Sequence, residues 1–134
     1  MKVSAVLPAV LLVEPQFVLR RTIVTVAREL QLVEFHEATS VARAMPALVS
    51  KRFTGMVIDL GDGPEALQML EQVRSGAFAC GARIPVIAMT PESIASRAAL
   101  LESLGPVSVL RKPFKIGELL ESVRTMAEHP STKR

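Results

Sequence analysis

Short apolar segments alternate with longer segments of helical periodicity along the chain. The apolar segments are rich in strand-forming residues and lie at 9–13, 32–35, 55–60, 84–89 and 107–110. Four of them contain few polar residues, which is typical of strands covered on both faces. The segments between them repeat apolar residues at helical spacing, over 17–30, 40–50, 64–75, 92–104 and 116–127.

The alternation of five strands with five helices predicts an α/β fold, a doubly wound parallel sheet with helices on both faces. Right-handed crossovers restrict the topology, and we predict a five-stranded sheet of order 2-1-3-4-5, which is flavodoxin-like. No internal repeat or linker divides the sequence. We therefore expect a single domain over 1–128 and a flexible tail over 129–134.

The composition excludes several classes of function. The 134 residues are 49% hydrophobic and 22% charged, which fits one globular domain. The net charge of +3 is spread over scattered residues, and the chain has no Trp, no Tyr and no glycine-rich phosphate loop. These features argue against binding of nucleic acid. The apolar run before Glu14 is interrupted by Pro8 and is too short to span a membrane. A single cysteine, Cys80, fits a cytoplasmic protein.

Polar residues follow or end the predicted strands, at the edge of the sheet where sites form in such folds. A carboxylate there can attack phosphorus to give an aspartyl phosphate, and a divalent cation can bridge carboxylate and phosphoryl oxygens. A hydroxyl and an ammonium can bind the remaining phosphoryl oxygens. In the order of the chain, the candidates are Glu14-Pro15, His36, Asp59, Thr90 and Arg111-Lys112-Pro113.

This ordered set resembles a response-regulator receiver domain, over nearly the whole chain from about Val10 to Met126. The motifs that carry the resemblance are VIDL, PVIAMT and VLRKPF. The resemblance implies a receiver-like domain of a two-component system, a signalling module and not an enzyme. It implies that Asp59 is the phospho-acceptor, that Thr90 senses the phosphate and that Lys112 contacts it. It also implies a cis peptide bond before Pro113.

The acidic pair departs from the family pattern. Receiver domains usually have two adjacent acids after the first strand, which bind magnesium, but this chain has Glu14 followed by Pro15. The metal ligands that remain are Glu14, Asp59 and the backbone carbonyl of Gly61. The local charge is then −1, against −2 for the usual site, which weakens the attraction of a divalent ion by several kcal/mol at an effective dielectric constant of about 20. We therefore expect weak or absent magnesium binding, unless Asp62 replaces the missing acid.

Two further departures concern the neighbouring segments. The loop after Asp59 is short, and the following helix is predicted to begin at Pro64, which puts the Gly61 carbonyl ligand in doubt. The aromatic switch residue that the family often has on its last strand corresponds to Val109 here. Valine cannot move between inward and outward ring positions, so we expect the coupling to Thr90 to be absent or altered.

Several functions remain open at this point. The leading hypothesis is an atypical receiver that acts through protein–protein contacts, with weak or absent phosphorylation of Asp59. The alternative is a working phospho-acceptor that uses Glu14 and Asp59 for the metal, with or without Asp62. A third is a small phosphohydrolase, although the sequence offers no spare base near the site. Asp59 and Lys112 also fit a structural ion pair, and Thr90 fits a helix N-cap.

The resemblance implies protein partners. Sensor histidine kinases or other signalling proteins are expected, and in this family they often dock against the first helix, here over 17–30. A homodimer through the segments 92–104, 107–110 and 116–127 is a further expectation, because charges of both signs occur there. The other interpretation of that surface is an ordinary solvated helix face.

Overall fold

The computed structural model describes residues 6–61, 64–90, 103–105 and 107–128. The five strands are β1 (Ala9–Val13), β2 (Glu34–Ala38), β3 (Gly55–Asp59), β4 (Val86–Thr90) and β5 (Val107–Arg111). The helices in the described part are α1 (Phe17–Glu29), α2 (Val41–Ser50), α3 (Glu65–Arg74) and α4 (Ile116–Glu128). The helix predicted over 92–104 falls mostly on residues outside the described ranges, as do the expected tail and Asp62.

The five strands form one parallel sheet of order β2-β1-β3-β4-β5, so the predicted fold class and strand order are confirmed. Val10 on β1 lies opposite Phe35 of β2 on one side and Gly55 of β3 on the other. Since all strands run in one direction, their carboxyl ends share one edge of the sheet.

Each face of the sheet carries its own hydrophobic core, because successive side chains of a strand point to opposite faces. Leu11, Met56 and Ile58 pack on the face covered by α2 and α3. Leu12 and Val57 pack on the face covered by α1 and α4. All five are fully buried, so the central strands that lead to the site are fixed from both sides. Among the described helices, none is long and apolar enough to cross a membrane.

The second strand begins later than predicted. The pattern predicted a strand over 32–35, whereas β2 spans Glu34–Ala38. Leu32 belongs to the end of α1 and not to the strand, because its amide donates a hydrogen bond to the carbonyl of Ala27 at 3.0 Å. His36 therefore lies inside β2 and not after it, which corrects its predicted place at the strand end. Its ring packs edge-on against Phe53, with 5.8 Å between the ring centroids.

The end of α1 contains a backbone conformation that favours glycine. Gln31 has φ of 57°, its amide bonds to Arg28, and the amide of the next residue bonds to Ala27. This is the Schellman arrangement, in which the left-handed residue is usually glycine.

Replacing Gln31 by glycine should stabilise the fold, because glycine adopts the left-handed conformation without steric strain. We expect Gln31→Gly to raise the free energy of unfolding in urea by about 0.5–1 kcal/mol. Thr22→Gly, at an exposed position in the middle of α1, is the control and should lower it by about 0.3–0.5 kcal/mol. A loss of stability in Gln31→Gly would contradict this account of the helix end.

Candidate functional site

Four predicted residues meet at the carboxyl edge of the sheet. Glu14 directly follows β1, Asp59 ends β3, Thr90 ends β4 and Lys112 directly follows β5. Glu14 and Thr90 are fully buried, and the side chain of Asp59 is only 9% exposed. Carboxylates are rarely buried to this degree without a partner, so the edge must contain compensating charge.

Lys112 provides that compensation for both carboxylates. Its Nζ lies 2.8 Å from Oε1 of Glu14 and 3.0 Å from Oδ1 of Asp59. Burial lowers the pKa of Lys112, but hydrogen bonds and charge attraction from Glu14 and Asp59 outweigh it and hold the pKa above its usual value. The three side chains form an ion-pair triad of two carboxylates and one ammonium, with a net charge of −1.

The carboxylate, the amide and the carbonyl of Glu14 all form hydrogen bonds. Its Oε2 accepts a hydrogen bond from the amide of Gln16 at 2.9 Å, while its own amide donates to the carbonyl of Ala38 at 3.0 Å. Its carbonyl accepts from Nη1 of Arg20 at 3.0 Å. The backbone and side chain of Glu14 are therefore both fixed, and its carboxylate stays beside Lys112.

Arg20 contributes to the site although it is not among the residues that the sequence pattern places at the strand ends. Arg20 lies on the buried face of α1 together with Ile23 and Ala27. These residues are separated by three and four positions, the spacing of one helix face. An arginine at a core-facing position was the available signal, because a buried guanidinium needs hydrogen-bond acceptors nearby.

Asp59 also borders a cleft of about 390 Å³. The cleft is also lined by Pro15, Gly61 and the first residues of α2 and α3. Gly61 has φ of 62°, and a Cβ at this position would lie 3.4 Å from Oδ2 of Asp59. The position of the family's second acid is thus in the same cleft as Asp59, but Pro15 supplies no carboxylate there.

Thr90 and the residues after β5 complete the edge. The carbonyl of Thr90 accepts a hydrogen bond from the amide of Lys112 at 2.6 Å, and the peptide bond between Lys112 and Pro113 is cis. Val109 lies opposite Ala88 on β4, half-buried against the core on the α2 and α3 face. The side chain that corresponds to the family's aromatic switch is therefore a small aliphatic group in this core.

The described residues do not fit a magnesium site. Magnesium prefers oxygen ligands in octahedral geometry, but the ammonium of Lys112 occupies the position between the carboxylates of Glu14 and Asp59. Within the described part of the chain, no three His, Cys, Asp or Glu side chains cluster closely enough to hold a metal ion. Asp62, the candidate replacement acid, lies outside the described residues.

No family model matches the sequence, and no curated protein matches it. Solved structures do match. A response regulator receiver protein from Pseudomonas putida is 26% identical, with a TM-score of 0.75, and the match covers 91% of this chain and 99% of that one. A chemotaxis protein from Vibrio cholerae is 18% identical, with a TM-score of 0.77 and coverages of 90% and 98%.

This chain has the fold of a response-regulator receiver domain. The resemblance seen in the sequence is thus confirmed at the level of the fold. A third structure with the receiver fold, from a sensor histidine kinase of Pseudomonas aeruginosa, is 24% identical with a TM-score of 0.71 and coverages of 91% and 98%. That protein coordinates a magnesium ion in its active-site cleft.

Proposed function

We propose that this chain is a cytoplasmic two-component signalling module that acts through protein–protein contacts, with weak or absent magnesium-dependent phosphorylation at Asp59. The observation that supports this proposal is the ion-pair triad of Glu14, Asp59 and Lys112, in which the ammonium lies within 3.0 Å of both carboxylates. A protein cation takes the position between the acids, and Pro15 removes the charge that would favour a divalent ion over it.

A module of this kind presents one conformation to its partners and does not depend on a phosphoryl group. The exposed side of α1 is the surface that we propose for a sensor histidine kinase or another signalling protein. Phe17 and Val18 there are 67% and 74% exposed. A pocket of about 480 Å³ lies beside them, lined by Gln16, Leu19, Lys112, Pro113 and Phe114. Apolar side chains next to an open pocket are the usual anchor points of a protein interface.

The proposed site of a homodimer is the surface of β5 and α4 together with the segment 92–104, most of which lies outside the described residues. Arg124 on α4 is paired within its own helix, with Glu121 and with Glu128 at 2.9 Å. Exposed pairs of this kind contribute little binding energy, so their role in a dimer would be to set the register of the two copies.

The experiment that tests the proposed function is exposure of the protein to acetyl phosphate and magnesium, followed by an intact mass at short times. We expect no phosphoryl adduct on the folded wild-type chain, because the acceptor is paired with Lys112 and the site lacks the charge to recruit the metal. Asp59→Asn is the matched control, and a receiver domain with a complete acidic pair serves as the positive control.

A single phosphoryl addition that needs both magnesium and Asp59 would overturn this proposal. It would establish the alternative function, a working phospho-acceptor with Glu14 and Asp59 around the metal, with or without Asp62. An adduct that forms equally in Asp59→Asn would come from another residue and would leave Asp59 unmodified, as the proposal requires.

A further inference from the structure

Arg20 makes an unusual set of contacts for a helix arginine. Its side chain is only 11% exposed, and its Nε lies 3.1 Å from Oε1 of Glu37 on β2. Its Nη1 donates to the carbonyl of Glu14 at 3.0 Å and lies 3.5 Å from the carbonyl of Pro15. The ring of Phe17 lies 5.6 Å from the guanidinium carbon. One guanidinium therefore ties the segment after β1 to the edge strand β2.

These contacts form a continuous series from the surface to the triad. Arg21, with 41% of its side chain exposed, also pairs with the carboxylate of Glu37, which is 26% exposed. Glu37 contacts Arg20, and Arg20 contacts Glu14, whose side chain is fully buried. Burial increases at each step, and electrostatic contacts become stronger as water is excluded.

We infer that Arg20 is a positioning residue, oriented by Glu37, that holds Glu14 within reach of Lys112. The carboxylate of Glu14 can stay on the ammonium only if the backbone of residues 14–16 is fixed, and Arg20 binds two carbonyls of that segment. The planar fork of arginine can bind carbonyls and a carboxylate together, which a lysine ammonium does less well.

The role of Arg20 in signalling rests on the proposed function, in which partners recognise the conformation with the ion-pair triad formed. A partner that binds Arg21 or Glu37 on the outside of α1 and β2 would weaken or strengthen the contacts of Arg20 with Glu14 without contacting the strand ends. The α1 and β2 surface and the triad are then two parts of one mechanically linked unit.

Residue-resolved amide hydrogen exchange of the full chain tests this inference. The amide of Gln16 is the reporter, since it donates directly to the Glu14 carboxylate. The amide of Met56, which donates to Pro85 at the opposite end of the sheet, is the reference. In Arg20→Met and in Glu37→Ala we expect exchange at Gln16 to rise about five-fold relative to Met56, the ratio for loss of one hydrogen bond of ordinary net strength.

The matched controls are Arg28→Met and Glu34→Ala. They break a separate ion pair between α1 and β2 whose side chains are far more exposed, at 56% and 53%. They should leave the Gln16 to Met56 ratio unchanged. An unchanged ratio in Arg20→Met and Glu37→Ala, or an equal rise in the controls, would overturn the inference. If Arg20→Met does not fold, Glu37→Ala decides. The experiment uses neither magnesium nor a phosphodonor, so its result is independent of whether Asp59 accepts phosphate.

Discussion

Restoring two adjacent acids after β1 should give this chain the magnesium site that we propose the wild type lacks. In the double variant Glu14→Asp/Pro15→Asp, the local charge falls from −1 to −2. One added unit charge about 4 Å from a divalent ion contributes on the order of 8 kcal/mol of attraction at an effective dielectric constant of about 20, before the ion and the carboxylates lose water. That is more than the roughly 4 kcal/mol that corresponds to millimolar binding.

The position of Pro15 makes this substitution informative. Pro15 lines the same cleft as Asp59 and Gly61 and is exposed, so an aspartate there places a third carboxylate in the cleft without displacing a buried side chain. Shortening Glu14 to aspartate also draws one carboxylate back from Lys112, now 2.8 Å away. Both changes therefore favour a divalent ion over the lysine ammonium at the strand ends.

The measurement is a magnesium titration followed through the amide NMR shifts of Asp59 and Gly61. The chain contains no Trp or Tyr, so it has no strong intrinsic fluorophore for this purpose. We expect saturable shifts in the double variant, with a dissociation constant of about 1–10 mM, and none in the wild type. Glu14→Asn/Pro15→Asn has side chains of the same shape without the charge and should not bind. Equal binding by the wild type would refute the account of Pro15.

The sequence predicted the fold and the strand-end residues other than His36 well, because each depends on local pattern and parallel topology. The bounds of β1 are those predicted, since its residues are consecutively apolar. The edge strand β2 contains two glutamates and therefore has no continuous apolar pattern. Leu32, which was predicted to start this strand, instead belongs to the end of α1. The hydrogen bond from Leu32 that ends α1 depends on the left-handed conformation of Gln31, and glutamine is not a residue type that predicts this conformation.

The contacts of long side chains were harder to predict. The sequence indicated that Lys112 could pair with Asp59, but not that it also reaches Glu14, since that depends on the spacing of β1, β3 and β5 across the sheet. The inward course of Arg20 likewise depends on the acceptors that the folded segment 14–16 offers. Such contacts depend on the tertiary structure, whereas helices and strands can be predicted from residues that are close in the sequence.

Removing the ammonium of the triad should have the largest effect on stability. Lys112→Met keeps most of the aliphatic stem but leaves Glu14, which is fully buried, and Asp59 without a counter-charge. Breaking a buried ion pair by deleting one partner destabilises a protein by about 3–5 kcal/mol. We therefore expect the free energy of unfolding in urea at pH 7 to fall by that amount. Arg28→Met, which breaks an exposed pair with Glu34, should change it by less than about 1 kcal/mol.

The pH dependence follows from the raised pKa of Lys112 and has a definite sign. The folded pKa lies above the ordinary value of 10.5, because hydrogen bonds and charge attraction from the two carboxylates outweigh the opposing effect of burial. The contribution of Lys112 to stability is thus complete below the unfolded pKa and is lost as the pH rises through the folded one. The difference in unfolding free energy between wild type and Lys112→Met should be constant near neutrality and shrink above pH 10.5.

A second substitution separates lost charge pairing from lost packing. In Lys112→Met/Glu14→Gln the fully buried carboxylate is gone, so part of the stability lost in Lys112→Met should return if unpaired charge is the cause. If the double variant is no more stable than Lys112→Met, the unpaired Glu14 carboxylate does not cause the loss of stability, and the triad is not the charge balance of this edge. Recovery would mean that the fold itself depends on a cation between these acids, and that in this chain the cation belongs to the protein.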